Sequence, residues 1–448
     1  MDIRPLYHIN PIKGWINDPN GVVKFKNKYH VFYQYHPYGL VWGPMHWGHV
    51  VSEDLLHWEH LPIALTPGDE FDLDGCFSGS SIVYNDRLYV FYTGFIFNED
   101  STKIVQHQCL AYSDDGVTFT KLGLVIGRDN LPEEFSINDF RDPMVFQDGD
   151  EFIMFVGAKR HTGGSNVLKY KSKDLIHWEY VTYILNQDSD GNMIECIDYV
   201  KELNLLLSSE QFLPINGYNH HNIHSCLYRV GEFIKDKFSV KHEGMIDYGF
   251  DFYAPQVFLK DNVLIAWMDM WDRNNPSEKY GFAGSLTIPR KLNVINNELY
   301  QTPVLPNGEI IKQAVDEQYI DHVRTGFYKL EIENLQSFEL QMRKGQNHQT
   351  LFQLKNNEWV FDRSHSGEVI IGKEEDDDSL HGIRKMPYIS SKKHEIYIVL
   401  DEFSVEIFVD GKSLTSLIYP DLDDDLFDLQ IKAEKVVLYK YLDKVVKI

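Results

Sequence analysis

A seven-residue string recurs along the chain. Ser52-Glu53-Asp54-Leu55-Leu56-His57-Trp58 returns as Ser172-Lys173-Asp174-Leu175-Ile176-His177-Trp178, with a looser copy, Ser113-Asp114-Asp115-Gly116-Val117-Thr118-Phe119, between them. The closing aromatics are 61 and then 59 residues apart. An alternating strand-like run precedes each copy at a similar offset: Tyr29–Tyr33, Leu88–Tyr92 and Glu151–Phe155, with Val263–Trp267 as a later member. A unit near 60 residues holding several short strands builds propeller blades rather than solenoid turns. About 290 residues at about 60 each give roughly five blades.

The pattern fades after Leu286-Thr287-Ile288-Pro289-Arg290. The expected division is a five-bladed β-propeller over residues 1–295, a linker with a short helix (Glu309–Val315) over 296–316, and a β-sandwich over 317–448. In the last part short strands alternate, and Asp410-Gly411 after Phe403–Val409 signals a hairpin turn. The acidic runs Glu374–Asp378 and Asp423–Asp425 read as solvated loops, with calcium binding as a minor alternative. The fold class is therefore all-β. Aromatic residues make up 14 % of the chain, which suits strands and also sugar-stacking platforms.

A net charge of −24 argues against nucleic acid and anionic membrane as partners. No stretch approaches the roughly 18 apolar residues of a membrane span. The N-terminus has no apolar signal-like core. Cys76, Cys109, Cys196 and Cys226 lack metal-site or disulfide-framework spacing. These features point to a reduced, cytoplasmic compartment, with secretion by another route left open; no metal and no cofactor are expected.

Three acidic residues stand out by their company. Asp18 lies in Trp15-Ile16-Asn17-Asp18-Pro19-Asn20-Gly21, between an aromatic and a rigid turn. Asp142 follows Arg141, a neighbour expected to keep it ionised, and precedes Pro143. Glu195, flanked by Ile194 and Cys196, is expected to be partly desolvated, which raises its pKa. One ionised and one protonated carboxyl are the minimum for glycoside hydrolysis. A propeller can bring such distant residues to one axis. On the residues alone an Asx turn, a strand-edge ion pair and a solvent-facing Glu remain open readings of the three.

These motifs resemble glycoside hydrolase family 32, the invertases and β-fructofuranosidases, and within it the bacterial sucrose-6-phosphate hydrolases. Trp15–Gly21, Arg141-Asp142-Pro143 and Glu195-Cys196 match the family's three acidic motifs. Trp42–His49, Gly75–Ser80, Phe252–Gln256, Phe361–Ser364 and Val405–Phe408 extend the likeness over nearly the whole chain. The resemblance implies a five-bladed propeller followed by a sandwich, and hydrolysis with retention at a β-D-fructofuranosyl bond. It implies Asp18 as nucleophile, Glu195 as acid then base, and Asp142 with Arg141 as binders of fructose hydroxyls and stabilisers of the transition state. It places Asn17, Gln34, Trp42, Phe77, Ser78, Tyr253 and Trp267 around the sugar. The acid/base motif departs from Trp-Glu-Cys-Pro-Asp, with Ile194 for the Trp and Ile197 for the Pro.

The expected ligand is a small sugar: sucrose or sucrose 6-phosphate, with fructan hydrolysis or fructosyl transfer as alternatives and a non-catalytic sugar-binding propeller as another. Lys159-Arg160-His161 is a candidate phosphate contact against a plain solvated turn. The histidines of Tyr218–His224 read as surface or packing residues rather than metal ligands. A homodimer through the sandwich is open, since nothing in the sequence fixes the oligomeric state.

Overall fold

The computed structural model describes residues 3–97, 104–187, 193–372 and 376–443. Twenty of its strands form five four-stranded antiparallel blades, two of them extended by a short extra strand. Blade I runs Gly14–Phe25, Lys28–His36, His46–Ser52 and Glu59–Leu65. Blade II runs Gly75–Tyr84, Arg87–Phe97, Ile104–Ser113 and Thr120–Ile126. Blade III runs Phe135–Asp148, Glu151–Arg160, Ser165–Ser172 and Glu179–Gln187. Blade IV runs Ile194–Val200, Leu205–Gln211, His224–Ile234 and Lys237–Met245. Blade V runs Tyr253–Phe258, Val263–Met268, Arg290–Ile295 and Glu298–Pro303. The first strands of successive blades touch in a closed ring, so they line the axis. Phe282–Ala283, from the long loop of blade V, pairs in parallel with the first strand of blade I and adds to the closure.

The recurring string is the turn between the third and fourth strands of blades I to III. In blade I the Ser52 hydroxyl accepts the N–H of Leu55 (2.8 Å), and the Asp54 carboxylate accepts those of Leu56 and His57 (3.0 and 2.9 Å). Ser172 and Asp174 repeat this bonding in blade III, as do Ser113 and Asp115 in blade II. The central residue is left-handed in all three, Leu55 (φ +71°), Gly116 (+83°) and Leu175 (+68°). The closing aromatic wedges against the preceding blade: Phe119 meets Phe32 edge-on at 5.4 Å, and Trp178 meets Phe91 at 5.7 Å. The repeat is thus a self-bonded turn with an inter-blade anchor.

Two six-stranded sheets form the sandwich, packed around Phe338, Phe352, Trp359 and Phe427. Asp410-Gly411 is its expected hairpin turn, with positive φ at both residues. Two expectations are corrected here. The helix expected over 309–315 is a strand, Ile310–Ala314, paired with Lys435–Tyr441. The fourth strand of blade V lies beyond residue 295, at Glu298–Pro303. The second acidic run is also more than a solvated loop. Asp424 is buried and accepts the Asp421 N–H (2.9 Å) and a His348 bond (3.0 Å). Of the first run, residues 373–375 lie outside the described residues, and Asp376 bonds His221 at 2.9 Å.

The domains meet through buried charge. Arg290 of blade V reaches Glu406 (2.5 Å) and Asp247 (2.9 Å), while Arg363 of the sandwich reaches Asp251 (2.7 Å). His8 bridges Asp401 and Glu406 at 2.8 Å each. Arg363 and Glu406 come one from each of the two sandwich motifs noted in the sequence, so these motifs mark the domain junction.

Candidate active site

Each of the five axial strands carries a β-bulge, near the N-terminal end in four of them and mid-strand in Phe135–Asp148. The bulges fall at Asn17-Asp18, Ser78, Asp142-Pro143, Cys196-Ile197 and Ala254-Pro255. A bulge re-aims side chains and accepts proline, whose missing N–H would break a regular ladder. Asp142 (φ +64°), Cys196 (+46°) and Ala254 (+49°) are left-handed there. Residues that are distant in sequence thereby converge on the channel at one level. Below them Gln256 donates to the Gly79 carbonyl (2.7 Å) and accepts the Val22 N–H (3.4 Å), cross-bracing blades V, I and II. The far end of the axis opens separately, as a cavity of about 270 Å³ lined by all five strands.

The Asp18 carboxylate accepts the Ser78 hydroxyl at 2.6 Å and the Asn17 amide at 3.2 Å. Asn17 is oriented by the Trp15 indole N–H (2.9 Å). The Cys196 thiol lies 3.5 Å from Asp18 Oδ2 and 3.7 Å from Asp142 Oδ2. Glu195 is gripped from two sides. Arg141 donates to Oε1 through Nε (3.0 Å) and Nη2 (2.7 Å), and the Tyr253 hydroxyl donates to Oε2 (2.5 Å). Gln106 accepts from Arg141 Nη1 (3.1 Å), and His224 packs on the Tyr253 ring.

The electrostatics reverse two expectations. Burial alone would raise Glu195, but Arg141, His224 and Tyr253 hold it below the ordinary carboxylate range. Asp142 is pushed up to about 7, first by burial, then by the charges of Glu195 and Asp18, with Arg141 opposing. Burial and the Glu195 charge also raise Asp18, against its hydrogen bonds. The physical reason is the bulge. It turns Asp142 away from its sequence neighbour, so Arg141 spends its guanidinium on Glu195. One cation among three carboxyls leaves the cluster able to hold a proton near neutral pH.

Of the other expected residues, Ser78, Asn17, Arg141 and Tyr253 join the cluster directly. Gln34 is buried and donates to the Cys76 carbonyl (3.0 Å), tying blade I to blade II beside Phe77. Trp42 is 45 % exposed and meets Phe77 edge-on at 5.8 Å, while Phe77 stacks on Phe95 at 4.3 Å. These rings form an apolar wall open to a ligand. Trp267 is fully enclosed, packed against Trp15 and Trp271, so its ring has no face for a sugar. The half-buried Trp271, four residues on, has the accessible ring. Ile194 and Ile197 pack into the core between blades III and IV.

Sequence reading missed Trp271, Thr93, Gln106 and His224. Thr93 was signalled only by its place directly after the strand run Leu88–Tyr92. Arg160 donates to the Gly163 carbonyl (3.1 Å) in the turn between the second and third strands of blade III, at the site's end of the axis. His220 and His221 bond to the Pro214 and Gly217 carbonyls. All four cysteines are free and buried. Among the described residues no helix is long and apolar enough to cross a membrane.

The model of the glycosyl hydrolases family 32 N-terminal domain matches residues 8–303, and that of the family's C-terminal domain matches residues 299–442. The chain is 38 % identical to a sucrose-6-phosphate hydrolase of Zymomonas mobilis, over 94 % of this chain and 87 % of the relative. It is 35 % identical to a raffinose invertase of Escherichia coli, over 94 % and 90 %. Among solved structures, a Bombyx mori β-fructofuranosidase mutant in complex with sucrose superposes with a TM-score of 0.83 at 29 % identity, covering 98 % of this chain and 94 % of that one.

Proposed function

The chain belongs to glycosyl hydrolase family 32 and is a β-fructofuranosidase of that family, and we propose that it cleaves sucrose 6-phosphate with retention, in the cytoplasm, to glucose 6-phosphate and fructose. The observation that carries this reading is the cluster of Asp18 and Asp142, each on an axial bulge, with Glu195 directly before a third and held by the Arg141 guanidinium. The phosphate is supported by the relatives, several of which are sucrose-6-phosphate hydrolases. The raffinose invertase relative favours a second reading, cleavage of unphosphorylated sucrose.

In the proposed mechanism Asp18 attacks the anomeric carbon of the fructosyl unit. The bond to the leaving oxygen breaks as Glu195 gives that oxygen its proton. A water then attacks the same carbon, loses its proton to Glu195, and frees Asp18. Asp142 binds fructose hydroxyls beside the developing positive charge. Trp42, Phe77 and Trp271 supply apolar faces for the sugar rings. Since Arg141 and Tyr253 favour ionised Glu195, the acid form requires Arg141 to loosen its hold. Leaving-group hydroxyls competing for the guanidinium would do this.

The test is a kinetic comparison on sucrose 6-phosphate, sucrose and a short inulin. A higher kcat/KM on the phosphate ester is expected. A clear preference for sucrose would replace the first reading by the second. Cleavage of none of the three would remove both.

A further inference from the structure

One position stands beside the axial bulge in every blade of the ring. It is the second-strand residue paired with the last residue before the bulge: Tyr35, Thr93, Gly157, Ser209 and Trp267 in blades I to V. At two of these positions a hydroxyl reaches the bulge of the next blade. Thr93 Oγ1 accepts the Asp142 N–H at 2.9 Å, and Ser209 Oγ accepts the Ala254 N–H at 3.2 Å. Both amides belong to left-handed, non-glycine residues, a conformation that persists only where the surroundings enforce it. Blade III has Gly157 there, and a Cβ would fall 2.2 Å from the Ile194 carbonyl oxygen, so no side chain fits. The corresponding amide, Cys196 N–H, is taken instead by the Asp142 carboxylate at 3.0 Å.

Asp142 is therefore fixed at both ends, its amide by blade II and its carboxylate by blade IV. Thr93 Oγ1 also lies 3.2 Å from the Ser78 carbonyl and 3.1 Å from Gln108 Oε1, and can give its single proton to either. Ser78 in turn donates to Asp18. One fully buried hydroxyl thus links the strand of Asp142 to the strand that serves Asp18.

We propose that Thr93 is a positioning residue for the reaction, holding the left-handed Asp142 backbone and with it the spacing between Asp142 and Asp18. This rests on the role given to Asp142 above. Thr93→Val keeps the shape and removes the hydroxyl, leaving a buried amide without its acceptor. A misplacement of about 1 Å can cost on the order of 10²-fold in rate, so a loss of that order in kcat is expected, with KM changing less. Thr93→Ser keeps the oxygen and should retain most of the activity. Hydrogen exchange of peptides spanning residues 140–144, followed without substrate, should quicken in Thr93→Val and not in Thr93→Ser.

Unchanged kcat and exchange in folded Thr93→Val would overturn the proposal, as would equal losses in the Val and Ser variants. If the Val variant does not fold, Thr93→Ser against Thr93→Ala decides, and equal activity of these two overturns it. If the unsubstituted protein cleaves no fructoside, the functional reading fails, while amide exchange at Asp142 still tests Thr93 independently.

Discussion

His8 lies with both ring nitrogens against carboxylates, Nδ1 at 2.8 Å from Asp401 and Nε2 at 2.8 Å from Glu406, all three side chains fully buried. Two acceptors on one imidazole require the protonated form. Burial opposes that charge, but the two hydrogen bonds and two carboxylates outweigh it and raise His8 from 6.5 to about 9. At about 1.4 kcal/mol for each tenfold change in proton affinity, that rise corresponds to roughly 3.5 kcal/mol of stability. Because the folded-state pKa is the higher one, this contribution is complete below pH 6.5 and is lost as pH rises through 9. His8→Gln cannot serve both carboxylates as a cation. At neutral pH it should cost about 3–5 kcal/mol, as for a buried ion pair with one partner removed. The assay is urea unfolding of both proteins at pH 7 and pH 10. The unsubstituted protein should lose stability at pH 10, and the variant should lose less between the two values. Equal alkaline losses in both would refute the assignment of the charge to His8.

Asp18→Asn should lower turnover on sucrose-type substrates by ~10⁴-fold or more, and activity near that of the unsubstituted enzyme would remove its nucleophilic role. Arg141→Leu deprives Glu195 of the cation that lowers its pKa, so the alkaline limb of kcat/KM should move to higher pH. An unmoved limb in the pH profile would show that Arg141 does not set the acid. Trp267→Ala should destabilise by about 3–5 kcal/mol as a core deletion, whereas Trp271→Ala should chiefly raise KM. The reverse pattern in unfolding and kinetics would exchange their roles. His30 and His49 share one hydrogen bond at 3.0 Å in the core, and burial lowers His30 to about 4. Stability should therefore fall as pH drops from 6.5 towards 4, and His49→Gln should flatten that fall in urea titrations at pH 7 and 5.

The blades were legible because their signal is local. Ser52, Asp54 and Trp58 make their turn within seven residues, so the string repeats wherever the turn does. The strand at Ile310–Ala314 was not legible. Glu309-Ile310-Ile311-Lys312-Gln313-Ala314 is a fair helix by propensity, and the partner that overrides it, Lys435–Tyr441, is more than a hundred residues away. The motifs named the side chains that cluster, Asn17, Asp18, Ser78, Arg141, Asp142, Glu195 and Tyr253, but not their electrostatics. Arg141 sits beside Asp142 in sequence and on Glu195 in space, because a left-handed bulge separates what the chain joins. Trp267 and Trp271 show the same limit. Trp267 closes the strand run and Trp271 follows it, and only packing decides which ring is enclosed.

The central claim is that a fructosyl unit passes through a covalent bond to Asp18. Its most direct test uses Glu195→Gln with β-D-fructofuranosyl fluoride, whose leaving group needs no acid while the second step lacks its base. Mass spectrometry of the quenched protein should show one fructosyl unit added, carried on the peptide containing Asp18. Turnover of the fluoride with no adduct, or an adduct on a peptide without Asp18, would contradict the account.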